Sequence, residues 1–126
     1  MIYNFDKDNA VPSITKIEEM LLTLGIYPKY KGYKYLIDAA IYVINDKNSV
    51  NNLTQNVYPI IAKVNNTTVS QVQSAIRNVI DVMYCRGNTN KINAMFGFNI
   101  VDKNTKLTSA DFIGLFANEV VLQKLI

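Results

Sequence analysis

Between residues 67 and 78 the chain concentrates side chains suited to reading nucleic acid. Ser70, Gln71, Gln73, Ser74, Arg77 and Asn78 fall at spacings that share one face if the stretch is helical. Gln and Asn each offer a donor and an acceptor, the pair that adenine presents in the major groove. An arginine grips guanine or a phosphate through parallel N–H groups. Thr67 and Thr68 fall where such a helix would begin, and backbone N–H groups at a helix start favour a phosphate. Lys63 and Arg86 flank the stretch as further phosphate candidates.

Other chemistry is sparsely supplied. The chain has no histidine and one cysteine, Cys85, which excludes a disulfide, a Cys/His zinc site and a His-dependent triad within one chain. Glu18 and Glu19 are neighbours, so on a helix they point about 100° apart and form no acid–base pair. Asp102, Asp111 and Glu119 lack the spacing of a metal loop, and no glycine loop for phosphate is present. A protein that is not an enzyme and needs no cofactor or metal is expected. Cys85 reads as a buried or half-buried thiol. Tyr27, Tyr30, Tyr33 and Tyr35 interleave with Lys29, Lys31 and Lys34, a mixture that can contact nucleic acid. The simpler reading packs the tyrosines and leaves the lysines in water, with Lys31 reaching phosphate if this loop flanks a groove.

The elements that must position these residues are helical. Ile14, Ile17, Leu21 and Leu24 predict a first helix over about 14–24, capped by Ser13 and stopped by Gly25. Tyr33, Leu36, Ile37, Ala40, Val43 and Ile44 form a second stripe. Leu53, Val57, Ile60, Ile61 and Val64 form a third, with Pro59 inside it, which predicts a kink or two abutting helices. Thr68 and Gln71 have capping-box spacing, each side chain within reach of the other's backbone N–H. The fourth stripe, Val69, Val72, Ala75, Ile76, Val79, Ile80 and Met83, is the best defined, and Gly87 should end it. A short helix over about 89–95 stops at Gly97, residues 98–107 read as irregular, and a last helix starts at Thr108. It packs through Phe112, Leu115, Phe116 and Val120.

The expected fold is therefore all-α, one compact domain of about six helices, with residues 1–12 as an extension before a domain over 13–126. Residues 58–77 fit a helix-turn-helix, whose second helix continues to about 86. Ala62 supplies the small residue at the crossing, Asn65, Asn66 and Thr67 the turn, and Val72 and Ala75 the inner face. At 126 residues the chain is close to one average domain, and 49% hydrophobic with 18% charged residues permits a packed core. The net charge of +3, from 11 lysines and only two arginines among the basic residues, describes a mildly basic surface. The longest apolar run, residues 39–44, is far short of the about 20 residues that span a bilayer, and residues 1–8 show no signal-peptide pattern. No membrane partner and a cytoplasmic location are expected.

The chain also resembles the C-terminal effector domain of the stage-zero sporulation response regulators of endospore-forming bacteria. The resemblance rests on Lys31-Gly32-Tyr33-x-Tyr35-Leu36, Tyr58-Pro59-x-Ile61-Ala62-Lys63, Asn66-Thr67-Thr68, Ala75-Ile76-Arg77, Arg86-Gly87-Asn88 and Phe96-Gly97-Phe98. Thr108 and Phe112-Ile113 fall in step, and the match runs over about 14–125 without an evident gap. It implies six helices, a helix-turn-helix from the third and fourth, binding of a short double-stranded DNA box as tandem copies, and transcriptional control at the onset of sporulation. In the family a phosphorylated receiver domain precedes this one. Only about 13 residues precede the first helix here, so a receiver is expected to be absent if Met1 is the natural start.

Residue by residue, the family's recognition helix has a Ser matching Ser70, an Arg at Gln71 and a Glu at Gln73. Its main guanine-reading Arg falls at Ser74, a second Arg matches Arg77, and a His falls at Asn78. Each lost bidentate Arg–guanine contact removes about 1–3 kcal/mol of discrimination. Recognition of the family box should be altered or weakened. The resemblance also implies that residues 91–100 meet the RNA polymerase sigma subunit, with Phe96 as the contact to watch, although Phe96 reads more simply as core. Leu122, Leu125 and Ile126 would suit self-association as a homodimer or as tandem copies on DNA, or would fold back on the core. The expected function is a sequence-specific DNA-binding transcription regulator. The alternative is an interaction module that keeps the fold, has lost specific DNA binding, and acts on the full-length regulator or on polymerase.

Overall fold

A computed structural model describes residues 14–86, 89–97, 101 and 106–124. Seven α-helices follow one another among the described residues: α1 (Ile14–Thr23), α2 (Lys31–Asn45), α3 (Leu53–Asn56), α4 (Tyr58–Val64), α5 (Val69–Cys85), α6 (Thr89–Phe96) and α7 (Ser109–Lys124). A 3₁₀ segment, Lys47–Asn52, joins α2 to α3, and no strand occurs among the described residues. The all-α expectation is met, with one more helix than about six because the stripe around Pro59 divides. Val57 separates α3 from α4, and Pro59 lies in the first turn of α4, where a missing N–H breaks no intrahelical bond.

Two helix ends close in the same way. Gly25 takes φ 86°, so its N–H reaches the Leu22 carbonyl at 3.0 Å and the Ile26 N–H reaches Leu21 at 2.9 Å. Ile26 is thereby folded into the core and is fully buried. At the end of α4, Asn66 takes φ 54° and repeats the motif: its N–H reaches Lys63 at 3.3 Å, and the Thr67 N–H reaches Ala62 at 2.9 Å. Asparagine is the residue that best tolerates this left-handed conformation after glycine. Ser13, Gly87, Asp102, Leu125, Ile126 and most of the irregular stretch 98–107 lie outside the described residues.

Helix α2 packs most extensively on α5 and α7, and is the central strut of the fold. Leu36, Ile41, Ile76, Ile80, Met83, Phe112 and Phe116 are sealed from solvent around it. Phe112 stacks on Phe116 at 5.6 Å and takes the ring of Phe96 edge-on at 6.3 Å. Tyr33 and Tyr58 are also buried, which pushes each phenol up to about 12. For Tyr33, burial is aided by the hydrogen bond it donates to Glu18, 3.1 Å long. Thr108 opens helix α7 as its cap, its hydroxyl accepting the N–H of Asp111 at the third helical position, 3.1 Å away. No described helix is long and apolar enough to cross a membrane.

One expectation is overturned. Cys85 is exposed, not buried or half-buried. The buried face of α5 runs through Val72, Ile76, Val79, Ile80, Met83 and Tyr84, and at about 100° per residue Cys85 turns out of it.

Candidate nucleic-acid interface

Helices α4 and α5 and the turn between them form the helix-turn-helix. Ala62 is buried at the crossing, as its small side chain requires, while Val72 and Ile76 are fully buried beneath α5. The start of α5 is set by Thr68, whose extended backbone ends the turn and whose hydroxyl accepts the Gln71 N–H at 3.1 Å. Only this half of the capping box forms. The Gln71 side chain instead accepts from the Thr67 hydroxyl, which ties it across the helix entrance. Asn65 closes α4 by donating to the Ile61 carbonyl at 2.8 Å, and its amide lies 3.5 Å from the Asp38 carboxylate on α2. Burial raises Asp38, against the opposing pull of that amide and of Lys34.

The residues expected to read DNA lie together on one surface of α5. Ser70, Gln71, Gln73, Ser74 and Asn78 are exposed and Arg77 is half-exposed, all within an arc of about 160° opposite the buried face. Thr68 and Lys63 are exposed beside the turn, and Thr67 is half-buried in it. Arg86 stands apart. It lies about 24 Å along α5 from Ser70 at a rise of about 1.5 Å per residue. There it donates to the Tyr30 hydroxyl at 3.0 Å and covers the Tyr27 ring at 5.0 Å, joining the end of α5 to the α1–α2 loop.

Arg77 is engaged within the fold. Its guanidinium pairs with Asp81 one turn later, 3.1 Å away, and reaches the Leu107 carbonyl over 3.5 Å. Leu107 is itself held by the Tyr84 hydroxyl, which accepts its N–H at 2.6 Å. Asp81 lies on the outward arc of α5, so it brings a carboxylate to the face that would meet DNA. Residue chemistry alone singled out Arg77 but not this partner, although the i,i+4 spacing of opposite charges is the signal.

Two grooves flank α5. One is lined by Gln73, Ser74, Arg77, Asn78 and Asp81 together with Asn51, Asn52, Thr54, Thr108 and Ser109. The other runs between α5 and the start of α2, where Lys29, Lys31 and Lys34 face Ser70, Gln71 and Ser74. Those lysines are exposed and the neighbouring Tyr33 is buried, as the sequence suggested for this tyrosine and lysine stretch. Gly32 lets α2 meet α5 beside the second groove. A Cβ built there would lie 2.2 Å from the Ala75 carbonyl oxygen, so the α2 backbone rests directly on α5.

Phe96 is buried against Phe112 and presents no ring to a partner. Leu122 is 47% exposed near the end of α7. No cluster of three metal-ligating side chains occurs among the described residues. Residues 17–120 match the family model described as Sporulation initiation factor Spo0A C terminal. The match covers most of α1, all of α2 to α6 and most of α7, including both helices of the motif. Helical content, motif and match agree, and the chain belongs to this family of helical DNA-binding effector domains of sporulation control.

Proposed function

We propose that the chain is a sequence-specific transcription regulator that lays α5 in the major groove and reads a sequence different from the family box. The supporting observation is the outward face of α5. Six polar residues from Ser70 to Asn78 take no part in the core, on a helix whose turn and cap are built as a helix-turn-helix needs. Gln71, Gln73, Ser74 and Asn78 carry hydrogen-bonding readout, Ser70, Thr67, Thr68 and Lys63 position the backbone, and Arg77 supplies the one cationic contact from α5. Tandem copies on DNA, action in the cytoplasm and contact with a sigma subunit around α6 belong to the same reading. In it Phe96 supports the α6 surface from within, and exposed Lys91 and Ala94 make the contact.

Fluorescence anisotropy with the sporulation box, a scrambled duplex and a random AT-rich pool, at roughly 50 and 200 mM salt, tests it. Selective binding that survives the higher salt is expected, and Arg77→Ala should weaken it at least about tenfold, on the order of one guanine contact. Equal, weak binding to every duplex would refute it. A second reading is favoured by the Arg77–Asp81 pair, which holds back the only arginine of the face: an interaction module without specific DNA binding. Co-purification with the full-length regulator in the absence of DNA would support that one.

A further inference from the structure

We propose that the cleft between the start of α2 and the recognition helix seats the sugar-phosphate backbone of one DNA strand, gripped by Lys29, Lys31 and Lys34. The inference rests on the reading of α5 as a major-groove helix and adds the phosphate contacts that would hold it there. A helix with its side chains is about 10–12 Å across and the major groove is about 12 Å wide, so phosphate rails must pass along the flanks of a helix seated in it. The two flanks of α5 differ in charge. Three lysines and no carboxylate line the α2 side. On the other side the one cation, Arg77, is paired with Asp81.

The lysine flank is also rigidly placed. Lys31 and Lys34 are the first and fourth residues of α2, so they project from one face of that helix. The contact of Gly32 with the Ala75 carbonyl brings the α2 backbone against α5 beside the cleft. The Lys29 ammonium sits 5.3 Å over the Tyr30 ring at the cleft mouth. A lysine ammonium is a point charge that suits phosphate and carries no base code, so this cleft sets affinity and register while α5 sets sequence.

The test is the salt dependence of binding to a random duplex, read by anisotropy from about 50 to 300 mM salt. A cleft variant combines Lys29→Gln, Lys31→Gln and Lys34→Gln. A control combines Lys16→Gln and Lys47→Glu, which make the same change in net charge on other surfaces. Far-UV circular dichroism verifies that both fold. Three lost phosphate contacts should lower the slope of log K against log salt by about 2.7, at about 0.9 each. Between 50 and 200 mM salt the original chain should then lose about 40-fold more affinity than the cleft variant. The control should keep the original slope, and sequence preference should be the same in all three. A cleft variant whose slope is unchanged, or a control whose slope falls as far, overturns the proposal while leaving α5 as the reader. If the original chain binds no duplex at any salt, the DNA reading itself fails and the cleft with it.

Discussion

Gly32→Ala sets helix propensity against space at one atom. Gly32 is the second residue of α2, and an alanine there would gain about 0.5–1 kcal/mol on backbone entropy alone. The new Cβ, however, would lie 2.2 Å from the Ala75 carbonyl oxygen, 2.8 Å from its carbon and 2.9 Å from the Val79 Cγ1. Comfortable carbon contacts begin near about 3.5 Å, so α2 and α5 must part by about 1 Å. The obstructing atoms are backbone in the middle of a helix, and no rotamer change removes them. Overpacking of this kind costs about 1–3 kcal/mol, and with only backbone to yield the upper part of that range applies, so a net loss of about 1–2 kcal/mol remains after the propensity gain. For a chain of this length that lowers Tm by about 3–12 °C. Gly114→Ala is the matched control, because its Cβ would meet only the Val50 Cγ2 at 3.4 Å, and it should stabilise α7 by about 0.5 kcal/mol. Urea unfolding followed by circular dichroism measures both. Gly32→Ala as stable as the original chain would refute the close approach.

Asp81→Asn should alter stability by less than about 0.5 kcal/mol, because the pair with Arg77 is well exposed, yet raise affinity for duplex DNA, most at low salt. Unchanged or weaker binding in the anisotropy assay would show that Asp81 does not restrain Arg77. Thr68→Ala removes the α5 cap and should cost about 1 kcal/mol in urea unfolding, with DNA affinity falling as the helix entrance frays. Tyr58 and Tyr33 stay protonated in the folded state up to about 12, whereas in the unfolded chain they ionise near 10.0. The folded state then holds more protons, so stability should fall as pH rises between those values, and Tyr58→Phe should flatten that fall in an alkaline unfolding series.

The helices were legible because their apolar residues recur at a period that only a helix satisfies, and because each break carries its own chemistry. Pro59 could end a helix or kink one, and spacing alone left both open. Val57 decides it by occupying the junction, its N–H bonded to Leu53 at 3.0 Å and its carbonyl accepting from Ile60 and Ile61. Asn65, Asn66 and Thr67 read as the turn without showing which residue bends it, and φ 54° puts Asn66 in the left-handed position. Cys85 was misplaced because free cysteine is usually buried, whereas its position on α5 turns it away from the face that holds Met83.

The outward face of α5 was legible for the same periodic reason, since the residues that do not pack are those left outside the stripe. Its surroundings were not. Lys29, Lys31 and Lys34 lie some 40 residues before Ser70 and Ser74, and only the packing of α2 on α5 brings them to one cleft. Thr108 and Ser109, some 30 residues after Arg77 and Asn78, reach the opposite flank of α5 through the start of α7. Local sequence thus determined helix, turn, cap and outward face, because each depends on residues within about one or two turns of one another. The partner of Arg77 in Leu107, the seat of Arg86 on Tyr27 and Tyr30, and the charge difference between the two grooves were decided by tertiary structure alone, since each depends on which helices the shared core brings into contact.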